Sequence, residues 1–177
     1  MSENHALAVM NMSFPASPTE ALPQQTFTQT HKISMNGESV SLVHVPPAHT
    51  NSDINIHFEK ANVLQTGDVF FNGFYPYIDT GTGGSFSGMI AGAAKLLAQA
   101  DNNTKIVPGH GPLGNKANLM KFRDVLSTVQ YRLQKLNSAG KTEQQAIAAK
   151  PLDDLDPDLG KVFFNNDTFI QIVYSTL

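Results

Sequence analysis

Val40–Asp68 reads VSLVHVPPAHTNSDINIHFEKANVLQTGD, and its reading decides the fold. Val40–Val45 reads as a strand that stops at Pro46-Pro47, with Ala48-His49-Thr50 just past its end. Asp53–Glu59 alternates, placing Ile54, Ile56 and Phe58 on one face and Asn55 and His57 on the other, which predicts a second strand. Glu59-Lys60-Ala61-Asn62 turns the chain into a third, Val63–Thr66, and Gly67 frees the backbone for a bend into Asp68. Further on, Thr104–Val107 reads as a short strand running into Pro108-Gly109-His110-Gly111-Pro112. His49, Asp68 and His110 thus each stand at a strand end, where a rigid scaffold presents functional groups.

Imidazole nitrogen and carboxylate oxygen are donors that suit zinc, iron or manganese. The chain has no cysteine, so thiolate sites and disulfides are excluded, and a transition-metal site has to be built from His, Asp, Glu and water. The 177 residues suffice for one domain with a sizeable core. A formal charge of −3 leaves no basic footprint for nucleic acid or an anionic membrane. No apolar run has the length of a membrane span. Met1-Ser2-Glu3-Asn4-His5 lacks the basic start of a signal peptide, so the expected compartment is cytoplasmic, or periplasmic if a leader precedes this sequence.

Working outward, Met35-Asn36-Gly37-Glu38 carries the Asn-Gly pair that predicts a tight hairpin, joining Thr26–Ser34 to the strand at Val40. Residues 1–25, punctuated by Pro15, Pro18 and Pro23, read as an extended arm or linker ahead of a domain spanning 26–177. Asn72–Gly88 is a long loop of Gly, Pro, Tyr and Asp, and loops of that length are functional or mobile. Tyr75, Tyr77 and Asp79 on this loop are candidate substrate-binding residues, the walls of a mouth beside Asp68.

Ser85–Ala100 reads as a helix with Ile90, Ala93, Ala94 and Leu97 on one stripe. Asn115 opens a longer helix to about Ala139, with Leu119, Phe122, Leu126, Val129, Leu133 and Leu136 at helical spacing and Gly140 at its end. Thr142-Glu143-Gln144-Gln145 is a capping box, and Asp167 is the expected cap of a last helix, Thr168–Leu177. Asp153, Asp154, Asp156 and Asp158 read as a solvated acidic turn, because a calcium loop needs a Gly and a closing Glu that are absent. No phosphate loop, dinucleotide fingerprint or serine-hydrolase elbow occurs. The order of strands and helices predicts an α/β (α+β) fold, one mixed sheet with helices on one face.

Ala48-His49-Thr50, Thr66-Gly67-Asp68 and Pro108-Gly109-His110-Gly111-Pro112, in that order and with the expected strand and helix between them, resemble the C-terminal half of the metallo-β-lactamase superfamily. The resemblance runs from about Phe27 to the C-terminus and implies half of an αββα sandwich. It implies that His49 is a ligand of a first zinc, that Asp68 bridges two metals or binds the second, and that His110 binds the second. In such enzymes a metal-activated hydroxide attacks an ester, thioester, amide or phosphodiester. The family's His-x-His-x-Asp-His signature is absent: His5, His31, His44 and His57 are isolated and wrongly spaced.

The resemblance therefore implies a zinc-dependent hydrolase of which this sequence holds one part, with weak or no activity as a free-standing chain and Asp68 positioning the water in a complete site. Three ligands and a water also suffice for one catalytic zinc, so a single site from His49, Asp68 and His110 is a second expectation. The inner face of half a sandwich would leave an apolar patch well above ~400 Å² uncovered. The expected partner is a second copy in a two-fold dimer, or a separate N-terminal half, with a small-molecule substrate if the chain is active. The alternative reading is a non-catalytic half-fold acting as an oligomerisation or interaction module.

Overall fold

A computed structural model describes residues 5–7, 12–155, 157 and 159–177. Five strands form one sheet in the order β3 (Thr30–Met35), β4 (Glu38–His44), β5 (Ile54–Phe58), β6 (Val63–Phe71) and β7 (Lys105–His110). Neighbours from β3 to β6 run antiparallel, and β6 and β7 run parallel. The parallel pair is joined by α1 (Phe86–Gln99), as a crossover connection requires. Then come α2 (Lys116–Ser138), α3 (Glu143–Ala148) and α4 (Asn166–Tyr174). No helix among the described residues is long and apolar enough to cross a membrane.

The hairpin at Asn36-Gly37 forms as read, with φ of 53° and 75° at the two residues. That is the pair of positive angles a type I′ turn needs. It fixes the register Ile33↔Val40 and Met35↔Glu38. Within the stretch read as an arm, β1 (His5–Leu7) pairs antiparallel with β2 (Met12–Phe14), and Thr19–Ala21 makes a 3₁₀ turn. The rest of its first eleven residues, and Asp156 and Asp158 of the acidic turn, lie outside the described residues.

The register separates the two sheet faces. Leu64 and Ile106 lie opposite each other on one face and are fully buried under the helices with Leu96, Leu126, Leu133 and Phe169. Asn55 shares that face, and its amide donates to Gln99 Oε1 of α1 at 2.9 Å. His57 lies there too, facing Leu64 in register. Its Nε2 is buried without a hydrogen-bond partner among the described residues, so this histidine is on the helix side and not the solvent side that alternation alone allows. The other face carries Leu42, Ile54, Ile56, Phe58, Val63 and Val107, all half-buried and none part of the helix-packed core.

The helices depart from the sequence reading in two places. On α1 the buried residues are Phe86, Met89, Gly92, Ala93, Leu96 and Leu97, whereas Ala94 is exposed. The stripe is rotated because two bulky residues, Met89 and Leu96, claim the sheet side. The last helix is capped by Asn165, whose side chain accepts from the Thr168 N–H, and Asp167 sits in its first turn. The capping box at Thr142 with Gln145 forms, and Asn115 makes a second one with Asn118.

At the sheet edge, Glu59 links β3 and β4. Its carboxylate accepts from the Ser41 hydroxyl at 2.6 Å and from Lys32 Nζ, and these bonds, the serine first, hold its pKa down to about 2. The folded value lies below the ordinary ~4.3, so this contribution to stability is present above that pH and is lost as pH falls through about 2. A carboxyl-carbon NMR titration is expected to place Glu59 near that value, and Ser41→Ala is expected to move it up toward the ordinary one.

Candidate metal centre

The strand ends bring His49, Asp68 and His110 together. His49 Nε2 lies 3.4 Å from Asp68 Oδ2, and His110 Nε2 lies 3.4 Å from Asp68 Oδ1. Each oxygen of one carboxylate therefore faces one imidazole. Among the described residues no group of three or more His, Asp or Glu is placed to hold one ion. The three residues form two pairs sharing Asp68.

Local structure fixes each side chain. Asp68 follows Gly67, whose φ is 53°, at a break in the β6–β7 register. Across that break Gly109 has no side chain, and a Cβ there would sit 2.0 Å from Asp68 Oδ1 and 2.8 Å from the Asp68 nitrogen. Gly109 thus reserves the space that the carboxylate fills. Gly109→Ala is expected to displace Asp68 and weaken zinc binding by about tenfold or more, the scale on which supporting residues act. Zinc titration against a competing chelator measures this.

His49 donates from Nδ1 to the Tyr77 carbonyl at 2.9 Å. A carbonyl only accepts, so Nδ1 carries the proton toward Tyr77, and Nε2 is the nitrogen turned toward Asp68. Metal-ligating histidines are held in the same way, by a backbone carbonyl on the far nitrogen. The loop backbone ties in as well, since Asp79 N–H donates to the His49 carbonyl and Gly84 N–H to the Asp79 carbonyl. His110 is the more open of the two histidines: its side chain is 44% exposed, against 18% for His49. Its ring stacks on Phe71 at 4.9 Å.

The long loop is split in its roles. Tyr77 is half-buried and its ring lies edge-on to His49 at 5.8 Å. Burial first, and the Asp79 charge second, raise its hydroxyl pKa above the ordinary 10, so it stays protonated at neutral pH. Tyr75 is 1% exposed, stacks on Phe169 at 4.0 Å and donates its hydroxyl to Asn166 Oδ1. It anchors the loop to α4. Asp79 is 5% exposed, within the loop that backs His49. Sequence reading left out Phe71, Phe163 and the Tyr77 carbonyl, and took Gly109 only as part of a turn; pairing of β6 with β7 and the return of the C-terminal segment put them here.

The family model of the metallo-beta-lactamase superfamily matches residues 3–110, starting earlier than the motifs do and ending on His110. Among solved structures, a metallo-beta-lactamase from Pontibacter korlensis is similar with a TM-score of 0.52 at 16% identity, over 59% of this chain and 49% of that one. The BLEG-1 B3 metallo-beta-lactamase gives 0.50 at 24%, over 64% and 50%. The sec-alkylsulfatase Pisa1 from Pseudomonas sp. gives 0.65 at 18%, over 93% of this chain and 28% of that one. The chain thus spans half or less of each of these proteins, and at such identities the likeness is one of fold. No curated protein matches the chain. With the family model covering more than half of its residues, and with this sheet and these helices, the chain belongs to the metallo-beta-lactamase superfamily.

Proposed function

We propose that the chain supplies one half of a two-metal hydrolytic centre. His49 and Asp68 would hold one ion, and Asp68 and His110 the other. The observation that carries this is the shared carboxylate, with an imidazole nitrogen 3.4 Å from each of its oxygens. The donor set fits zinc, which takes nitrogen and oxygen ligands. Bound zinc supplies a hydroxide at neutral pH and polarises the bond to be cleaved. The residues of this chain do the rest: the Tyr77 carbonyl orients His49, Gly109 leaves Asp68 its place, and loop 72–84 walls the site.

Two donors per ion fall short of the three protein ligands a catalytic zinc needs. The remaining ligands have to come from another segment, and the isolated chain is then a weak zinc binder and a poor hydrolase. The half-buried apolar face of Leu42, Ile54, Ile56, Phe58 and Val63 is where that segment, or a second copy of the chain, would pack. In solution the chain on its own is expected to form a two-fold dimer through that face, with twice the chain mass of 19.2 kDa by light scattering. Equilibrium dialysis with metal analysis tests the functional reading: zinc bound by the chain and reduced in His110→Ala supports it. A tight dimer that takes up no zinc supports the non-catalytic interaction module instead.

A further inference from the structure

Beside His110 the structure places an aromatic shelf. Phe163 lies in the segment before α4, far in sequence from the ligand motifs. Its ring packs edge-on to His110 at 5.2 Å and to Phe74 at 5.3 Å, and Phe71 lies 6.1 Å away. It is nevertheless 41% exposed, and its neighbour Val162 is 59% exposed. The next residue, Phe164, points the other way: it is 6% exposed and lies 6.0 Å from Tyr77. So Phe164 anchors the segment, Asn165 caps α4 directly behind it, and Phe163 is held with one side open. Phe71 and Phe74 also wall a cavity of about 200 Å³ that runs on to Asn118, Phe122 and Val125 of α2. Phe163 and His110 do not line this cavity, which adjoins the shelf through Phe74.

We propose that Phe163 and Phe74 are specificity-determining residues that seat a neutral aryl group of the substrate, with its polar, scissile end at Asp68. The placement argues for this occupant. The shelf is continuous with the ligand edge through His110, so a molecule on it has its next atoms at the carboxylate. An exposed aromatic that already stacks edge-on with two neighbours offers a flat ligand the same offset or T-shaped contacts. The assignment of the polar end rests on the metal-centre reading; the aryl site does not need metal.

The test uses the whole chain without metal and 4-phenylbutan-1-ol as a neutral probe, followed by the carbon-bound ring protons of His110 in NMR. The expected result is a saturable shift of the His110 signals. Phe163→Ser weakens binding at least tenfold, and Phe163→Leu, which keeps apolar bulk, weakens it about two- to threefold. Equal titrations of the wild-type chain and Phe163→Ser overturn the proposal, and so does binding that leaves His110 unmoved. A His110 shift that follows protein concentration and not probe concentration also overturns it, because Phe163 is then covered by a second copy. Zinc binding measured separately keeps the two readings apart: loss of one leaves the other standing.

Discussion

Asp68→Ala is expected to lower zinc affinity by about a hundredfold or more, beyond the ~10–100-fold that removal of an outer hydrogen-bond partner costs. The reason is that one side chain serves both pairs, Oδ2 toward His49 and Oδ1 toward His110. His49→Ala and His110→Ala each remove one nitrogen and leave the other pair intact, so each is expected to cost less than Asp68→Ala. If the two histidines serve different ions, each single variant should keep one zinc-binding pair and the double variant should lose both. A single shared ion would instead make the second histidine's loss depend on the first. Competition with a chromophoric chelator gives all four affinities.

Gly88→Ala is expected to cost about 3 kcal/mol of stability, at the upper end of the range for overpacking. A Cβ at Gly88 would lie 1.6 Å from the Pro47 carbonyl oxygen and 2.8 Å from its carbon. Both are backbone atoms, so no side-chain rotation relieves the clash. The first turn of α1 would have to lift from the Pro46-Pro47 segment, which leads directly into Ala48-His49. For a chain of this size the loss corresponds to a fall of roughly 6–12 °C in Tm. Gly140→Ala is the comparison. Its φ is 71° but no atom of the described residues lies within 4 Å of the new Cβ, so only backbone strain of about 1–2 kcal/mol is expected. A greater loss at Gly140 than at Gly88 would contradict this packing account.

The strand ends were legible because each signal there is local. Asn36-Gly37 specifies its own turn, the alternation around Ile54–Phe58 separates the two faces, and Pro and Gly mark where His49, Asp68 and His110 leave their strands. What escaped the sequence depends on distant packing. The α1 stripe was misplaced because periodicity gives a face but not which of several small and large residues meets the sheet. Tyr75 and Tyr77 look alike in sequence, yet one is stacked on Phe169 inside the core and the other lies against His49. Phe163 comes to His110 only through the return of the chain before α4. Spacing also gives no carboxylate orientation, so it could not show that each Asp68 oxygen faces a different histidine.

The account turns on whether Asp68 is shared between two ions. Crystals of the chain grown or soaked with zinc, with anomalous data at the zinc edge, measure this directly. The account predicts zinc peaks at about 2.0–2.2 Å from Asp68, one on the His49 side and one on the His110 side. A map with no zinc at Asp68, or with one ion bound by all three residues, would contradict it.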